Sequence, residues 1–313
     1  MASAGKKLHH TVPRFYLNPW TEDNLIYCLQ DGKIFRPNVR NVAAENYFYR
    51  LQELSPADIT FIRQVAIVDS PERLRHFHEY LVWAFSLPHV LRKRLEASGN
   101  TTPELRADVD NVIREMNENL HTSIEEDFKP YLDAMLAGDL SFYSDPAAVA
   151  LFFRGIAAQY LRTNQIKRAR ITLGPDRLEA FQRIVNVLVH ILAINLGFNL
   201  YADRKRYRLI LLENATNVPF ITADQPAINI AAKPEETKPP DKFELYYPLS
   251  PSKAVLLVEP LGDHLPDSPS VTAMYAHHYN LLVGAHSCQQ IFASLPQELE
   301  SIRDELPAFR SCF

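Results

Sequence analysis

Hydrophobic and polar positions along the chain fall into three regimes. Near the start, residues 25–29 and 33–36 form short apolar-rich runs on either side of Asp31-Gly32, a two-residue signal for a β-hairpin. Pro13, just ahead of Phe15-Tyr16-Leu17, suits the first turn of a short helix. From Ser55 onward the apolar period becomes helical. Ser55-Pro56 reads as an N-cap followed by proline at the first helical position, with Asp58 near the positive end of the helix dipole. Leu74, Phe77, Tyr80, Leu81 and Ala84 share one helix face, and Leu105, Val109, Val112, Ile113 and Met116 share another. Ile124, Phe128, Tyr131, Leu132 and Met135 predict a further short helix, interrupted near Pro130. Asp145-Pro146 caps a helix to about residue 169, and a long apolar helix follows Arg177.

The last third returns to strands. Residues 207–212, 220–222, 243–247, 254–259 and 290–293 are strand candidates, with helices near 271–279 and from Pro296. Residues 233–241, rich in Pro, Glu and Lys, read as an exposed loop. The expected fold class is α+β: a mainly helical body on a small mixed β-sheet formed by the N- and C-terminal segments. One two-stranded hairpin is marginal in water, so the two ends should share a sheet. The expected organisation is one domain over 1–313, with the N-terminal motif and hairpin at 9–36, a helical body at 55–203 and a β-containing part at 207–313.

Composition narrows the classes. With 47% hydrophobic and 22% charged residues, the chain is an ordinary globular sequence and not a disordered one. A formal net charge of -4 disfavours a globally basic nucleic-acid binder but leaves room for a local basic cleft. The three cysteines, Cys28, Cys288 and Cys312, are widely spaced and show neither zinc-ligand spacing nor a disulfide framework. No signal-peptide core follows Lys6-Lys7, and residues 184–200 carry His190 and three asparagines, which suits a buried core helix better than a membrane span. The expectation is a cytoplasmic protein that does not enter a membrane.

Candidate chemistry is sparse. His9-His10 can supply a general acid or base, and on an extended chain one ring turns inward and the other outward. Gln159 and Arg162 lie three apart on a helix and share a face that is largely uncharged. A buried arginine there needs an anionic or carbonyl partner, for which Asp224 is the attractive candidate. Asp224 ends a predicted strand, where it serves either a cleft or an Asx-turn. Glu125-Glu126-Asp127 reads as a solvated helix face. The basic runs at 92–94, 167–170 and 204–206 complement helix C-termini, or form a phosphate-binding strip if two of them meet. No Gly-rich phosphate loop, Gly-x-Ser-x-Gly elbow or His-Glu-x-x-His motif occurs.

Four segments resemble, in order, a bacterial family known as domain of unknown function 4238. They are His10-x-Val12-Pro13-x-x-Tyr16-Leu17, Gln159-x-x-Arg162-Thr163, Phe220-Ile221-Thr222-Ala223-Asp224-Gln225-Pro226 and Tyr247-Pro248-Leu249-Ser250-Pro251. Ala223 and Gln225 depart from the serine and asparagine usual in that family. The resemblance implies a bacterial protein linked to anti-phage defence and so directs attention to nucleic acid as a partner. It implies a site that gathers His10, Arg162 and Asp224 as catalytic residues with Tyr16 and Gln159 holding substrate. On that basis a phosphodiester hydrolase (nuclease), with or without a divalent metal, is one expectation. The other is a non-catalytic sensor or interaction protein in which the same polar residues are structural.

Overall fold

The computed structural model describes residues 8–46, 48–99, 102–172, 175–232, 242–259 and 270–310, with backbone alone at 8, 46, 163–172, 175–177 and 310. The loop expected at 233–241 and the side chains of the basic run at 167–170 lie outside the described residues.

Strand β1 (Leu8–His10) pairs antiparallel with β4 (Ala44–Asn46). Between them lie the short helix α1 (Arg14–Leu17) and the hairpin of β2 (Tyr27–Gln30) and β3 (Lys33–Phe35). Asp31 and Gly32 turn that hairpin with φ of 51° and 73°, the two left-handed residues that match strand twist. The helical stretch comprises α2 (Pro56–Ile62), α3 (Glu72–Ser98), α4 (Pro103–Ala137), α5 (Pro146–Thr172) and α6 (Pro175–Ala202). There follow β5 (Arg208–Glu213), β6 (Thr222–Ala223), β7 (Ile228–Asn229), β8 (Leu245–Ser250), β9 (Lys253–Val258), α7 (Ala273–His286), β10 (Ile291–Ala293) and α8 (Pro296–Arg310).

The α+β class is as expected, and the two ends do share a sheet. Its order is β3-β2-β10-β6, so the N-terminal hairpin and the last strands are joined through β10. The strands are antiparallel, however, and β5-β9-β8-β7 form a second four-stranded sheet of their own. That second sheet is buried on both faces. Along β8 and β9, Leu245, Tyr247, Val255 and Leu257 join the core under α4 and α5, whereas Tyr246, Ala254, Leu256 and Val258 join the core under α7 and α8. Double burial explains why these strands read as continuous apolar runs.

Local signals account for several helix ends. Ser55 and Asp58 form a reciprocal capping box, with Asp58 N donating to Ser55 Oγ at 3.1 Å and Ser55 N to Asp58 Oδ2 at 2.9 Å. The same carboxylate receives Arg183 from α6, so one residue caps α2 and anchors it. The break expected near Pro130 does not occur: α4 runs through it as a single helix. Pro130 is solvent-exposed, and the burial of Ile124, Phe128, Leu132 and Met135 on the other face offsets the roughly 3 kcal/mol a mid-helix proline costs. Helix α6 is long and apolar enough to cross a membrane, but most of its apolar window is buried among its neighbours.

Gly155 sets the spacing of α4 and α5. A Cβ added there would fall inside van der Waals distance of the Phe128 side chain. Gly155→Ala should therefore destabilise the fold by about 1–3 kcal/mol despite alanine's better helix propensity, read as a lower midpoint in urea.

Candidate functional site

The pairing of β1 with β4 sends alternate side chains to opposite sides. His9 turns inward and is fully buried, while His10 is half-buried and faces a pocket. Thr11 closes the strand by donating both its N–H, at 2.7 Å, and its hydroxyl, at 3.0 Å, to the Ala43 carbonyl. Ala43 itself holds φ at 46°, a strained value for a residue with a Cβ, and donates its N–H to Gln290 Oε1 at 2.8 Å.

Tyr49 clamps the histidine pair. Its N–H donates to His9 Nδ1 at 3.0 Å, its hydroxyl to the His10 carbonyl at 3.3 Å, and its ring stacks on His9 at 5.5 Å. His9 Nε2 lies 2.8 Å from Glu118 Oε2. On its other side Tyr49 meets His121, whose ring is 4.5 Å from His190, and His190 Nε2 is 2.6 Å from Asn117 Oδ1.

The pocket beside this array measures about 450 Å³. His10, Arg14 and Arg40 form one side of it, and Tyr49, Glu118, His121 and Glu125 the other. Burial, reinforced by Arg14, holds the His10 pKa below its ordinary value, with the Val42 backbone and Glu118 opposing in part. The ring is therefore neutral at pH 7, and its Nδ1, a buried atom, has no hydrogen-bond partner among the described residues.

Behind the pocket, sharing His121 and Glu125 with it, is a tight recess lined by Gln159 and Arg162. Arg162 is only 2% exposed and pairs with Glu125, not with Asp224. Burial opposes its charge, but Tyr49 and Glu125 outweigh burial and keep its pKa raised. Among the described residues, Arg162 Nε and Nη2, Gln159 Oε1 and the Tyr247 hydroxyl have no hydrogen-bond partner. Buried polar atoms are normally satisfied, and a concentration of exceptions marks a place built for something else.

Tyr16 and Asp224 sit elsewhere. The Tyr16 hydroxyl is fully buried, donates to the Pro248 carbonyl at 2.8 Å and lies 2.8 Å from Thr222 Oγ1. Asp224 is fully buried and accepts from the backbone N–H groups of Cys288, Gln289 and Gln290 at 2.9, 2.9 and 3.3 Å. Gln225, where the family resemblance leads one to expect asparagine, reaches the carbonyls of Tyr160 and Ala227 at 3.0 and 2.6 Å. Of the five residues singled out in the sequence, His10, Gln159 and Arg162 line adjoining spaces, and the other two tie chain ends to sheets.

Sequence reasoning missed Glu118, His121 and Glu125. Their spacing puts them on one face of α4, a signal that was present. The acidic run 125–127 is split: Glu125 turns in to Arg162, while Asp127 pairs with Arg154 near the surface. Of the basic runs, Arg92 pairs with Glu96 and Asp110, Lys93 with Glu53, and Arg206 with Asp203 and Glu259. Among the described residues no group of three or more His, Cys, Asp or Glu is arranged to hold a metal ion.

The imidazoles have a consequence for stability. Burial lowers the pKa of His10, His78 and His121, and pushes His190 down to about 3 with help from Arg162 and Arg154. The unfolded chain, with histidines near 6.5, binds protons first as pH falls. Stability is thus fully present above about pH 6.5 and is lost progressively below it. Melting temperatures measured between pH 7.5 and 5.5 should fall on the acid side; a flat profile would contradict the neutral burial of these rings.

No curated protein and no solved structure matches the chain. A family model described as a protein of unknown function, DUF4238, matches residues 8–296. That span runs from β1 to the start of α8 and includes the pocket, the recess and both sheets. The chain belongs to the DUF4238 family.

Proposed function

We propose that the chain is a hydrolase of a phosphodiester, RNA or DNA, with His10 as its general base. The observation that carries this reading is the neutral, half-buried His10 lining a polar pocket, its buried Nδ1 without a hydrogen-bond partner among the described residues. A base must be unprotonated at the working pH, and the lowered pKa favours that role over general acid. Arg14 and Arg40 line the same pocket and have no ion pair among the described residues, whereas the carboxylates of Glu118 and Glu125 face His9 and Arg162. The pocket therefore suits an anionic group, and its volume is that of an ordinary small-ligand site.

In this reading the His10 ring, with Nδ1 uncovered by a small turn of the imidazole, takes a proton from the attacking water as its oxygen bonds to phosphorus. The P–O bond to the leaving group then breaks, the departing oxygen takes a proton from solvent on the opposite side, and protonated His10 gives its proton up to water. Arg14 and Arg40 hold the phosphate, and Arg162, with Gln159, stabilises charge from below. Tyr16 and Asp224 act through the fold, by keeping the N-terminal segment and the β10 turn in place.

The test is cleavage of end-labelled RNA and DNA by the wild-type protein and His10→Gln, with and without magnesium or manganese. Cleavage by the wild type that is lost in His10→Gln is expected. Undiminished cleavage by the variant would remove His10 from the chemistry. Nucleotide binding by a wild type with no turnover would favour the alternative, a sensor that uses the same pocket.

A further inference from the structure

A second cavity, of about 340 Å³, opens between α3, α4, α5 and α6. Its walls are apolar, with Leu81, Leu120, Ile124 and Phe198 among them, and the small residues Ala158 and Ala193 also line it. Among the described residues, Arg154 and His190 are its only ionisable lining residues apart from Tyr201. We propose that this cavity binds a medium-chain anionic amphiphile, with the apolar tail against the alanine floor and the anionic head at Arg154.

Three observations fix the chemistry of the ligand. The cavity falls within the range of volumes and wall polarity used for small apolar ligands, large enough for one chain and too small for a folded partner. Its charge is confined to the rim. The Arg154 side chain is 39% exposed and gives one Nη to Asp127 at 2.8 Å; among the described residues its other donors have no partner and can meet a head group. The interior holds no cation, because burial keeps His190 neutral. An anionic head is thus favoured at the rim, and a hydrocarbon tail meets no opposing charge inside. His190 also touches His121 of the polar pocket, so the two spaces share a wall.

Isothermal titration with straight-chain carboxylates from hexanoate to tetradecanoate, each below its micelle concentration, tests the proposal. Affinity should tighten about fourfold per methylene and then level off when the cavity is full. Dodecanoate should bind more tightly than dodecanol, and dodecyltrimethylammonium least. Arg154→Gln should abolish the advantage of carboxylate over alcohol. Ala193→Phe fills the floor, and Ala150→Trp covers the rim from an exposed position where folding is not at stake; each should weaken binding at least tenfold. The His190 Cε1–H resonance should shift on saturation. Affinity that rises with chain length without levelling, or that is unchanged in Ala150→Trp, would overturn the proposal as surface adsorption. A concentration-dependent dimer abolished by Ala150→Trp, with no carboxylate binding, would overturn it in favour of a second copy.

Discussion

Asp224→Ala should lower the melting temperature by roughly 5–10 °C. The carboxylate is fully buried and accepts from three consecutive backbone N–H groups at the turn between α7 and β10. It therefore fixes the strand that joins the two ends of the chain. Alanine would leave those donors unpaired, and a buried donor without an acceptor costs about 1–3 kcal/mol. Gln289 is exposed, so water replaces part of the loss there, and a total of about 2–4 kcal/mol is expected. For a chain of this size each kcal/mol corresponds to roughly 2–4 °C. Asp224→Asn should fall between wild type and alanine, since its amide keeps one accepting oxygen but turns an N–H₂ group toward a donor. The ordering matters for function. A carboxylate acting on substrate would lose activity as asparagine with an unchanged melting curve; a clamp loses stability first. Scanning calorimetry of the two variants separates these cases.

The same residue shows what a sequence can and cannot announce. Asp224 before Gln225-Pro226 has the signature of an Asx-turn and of a strand-end carboxylate at once. Only the position of the Cys288–Gln290 backbone, more than sixty residues away, decides between them. Features whose cause is local were legible throughout. Asp31-Gly32 needs two left-handed residues and has them, and Ser55 with Asp58 makes its capping box within four residues. The sharing of a sheet by the two ends followed from the weakness of a lone hairpin. The second sheet did not, because pairing of β5 with β9 is set by contacts between residues forty to fifty apart and carries no local mark. Pro130 misled for a related reason: proline's local penalty is real, but the tertiary burial that outweighs it is invisible in a short window.

The site follows the same division. A histidine pair beside a proline, and a glutamine and arginine three apart on a helix, are conspicuous. Glu118, His121 and Glu125 are not, because carboxylates on a long polar helix ordinarily face water. Glu125 is distinguished only by the buried guanidinium opposite it, and Glu118 only by His9. Arg162 found an acidic partner, as a buried arginine must, but on α4 instead of after β6, since α4 and α5 lie side by side.

His10→Gln should reduce phosphodiester cleavage by roughly 10²–10⁴-fold while leaving the fold intact. The ring is half-buried and its Nδ1 has no partner among the described residues, so its loss removes little packing, and glutamine can replace the ring's hydrogen bond to the Val42 backbone. The strand is held instead by the β4 pairing and by Tyr49. The pH dependence gives a sharper reading. A general base is active unprotonated, so kcat/KM should rise with pH, with its inflection below the ordinary histidine value near 6.5, and level off at higher pH. Two neighbours push that inflection in opposite directions. Arg14 lowers the His10 pKa, so Arg14→Gln should move the inflection toward higher pH; Glu118 raises it, so Glu118→Gln should move it lower. Arg14→Gln should also raise KM, because that guanidinium faces the proposed phosphate. Loss of packing alone would depress the rate without displacing the inflection in two opposed directions. A profile that stays in place in both variants would show that the titrating group is not His10.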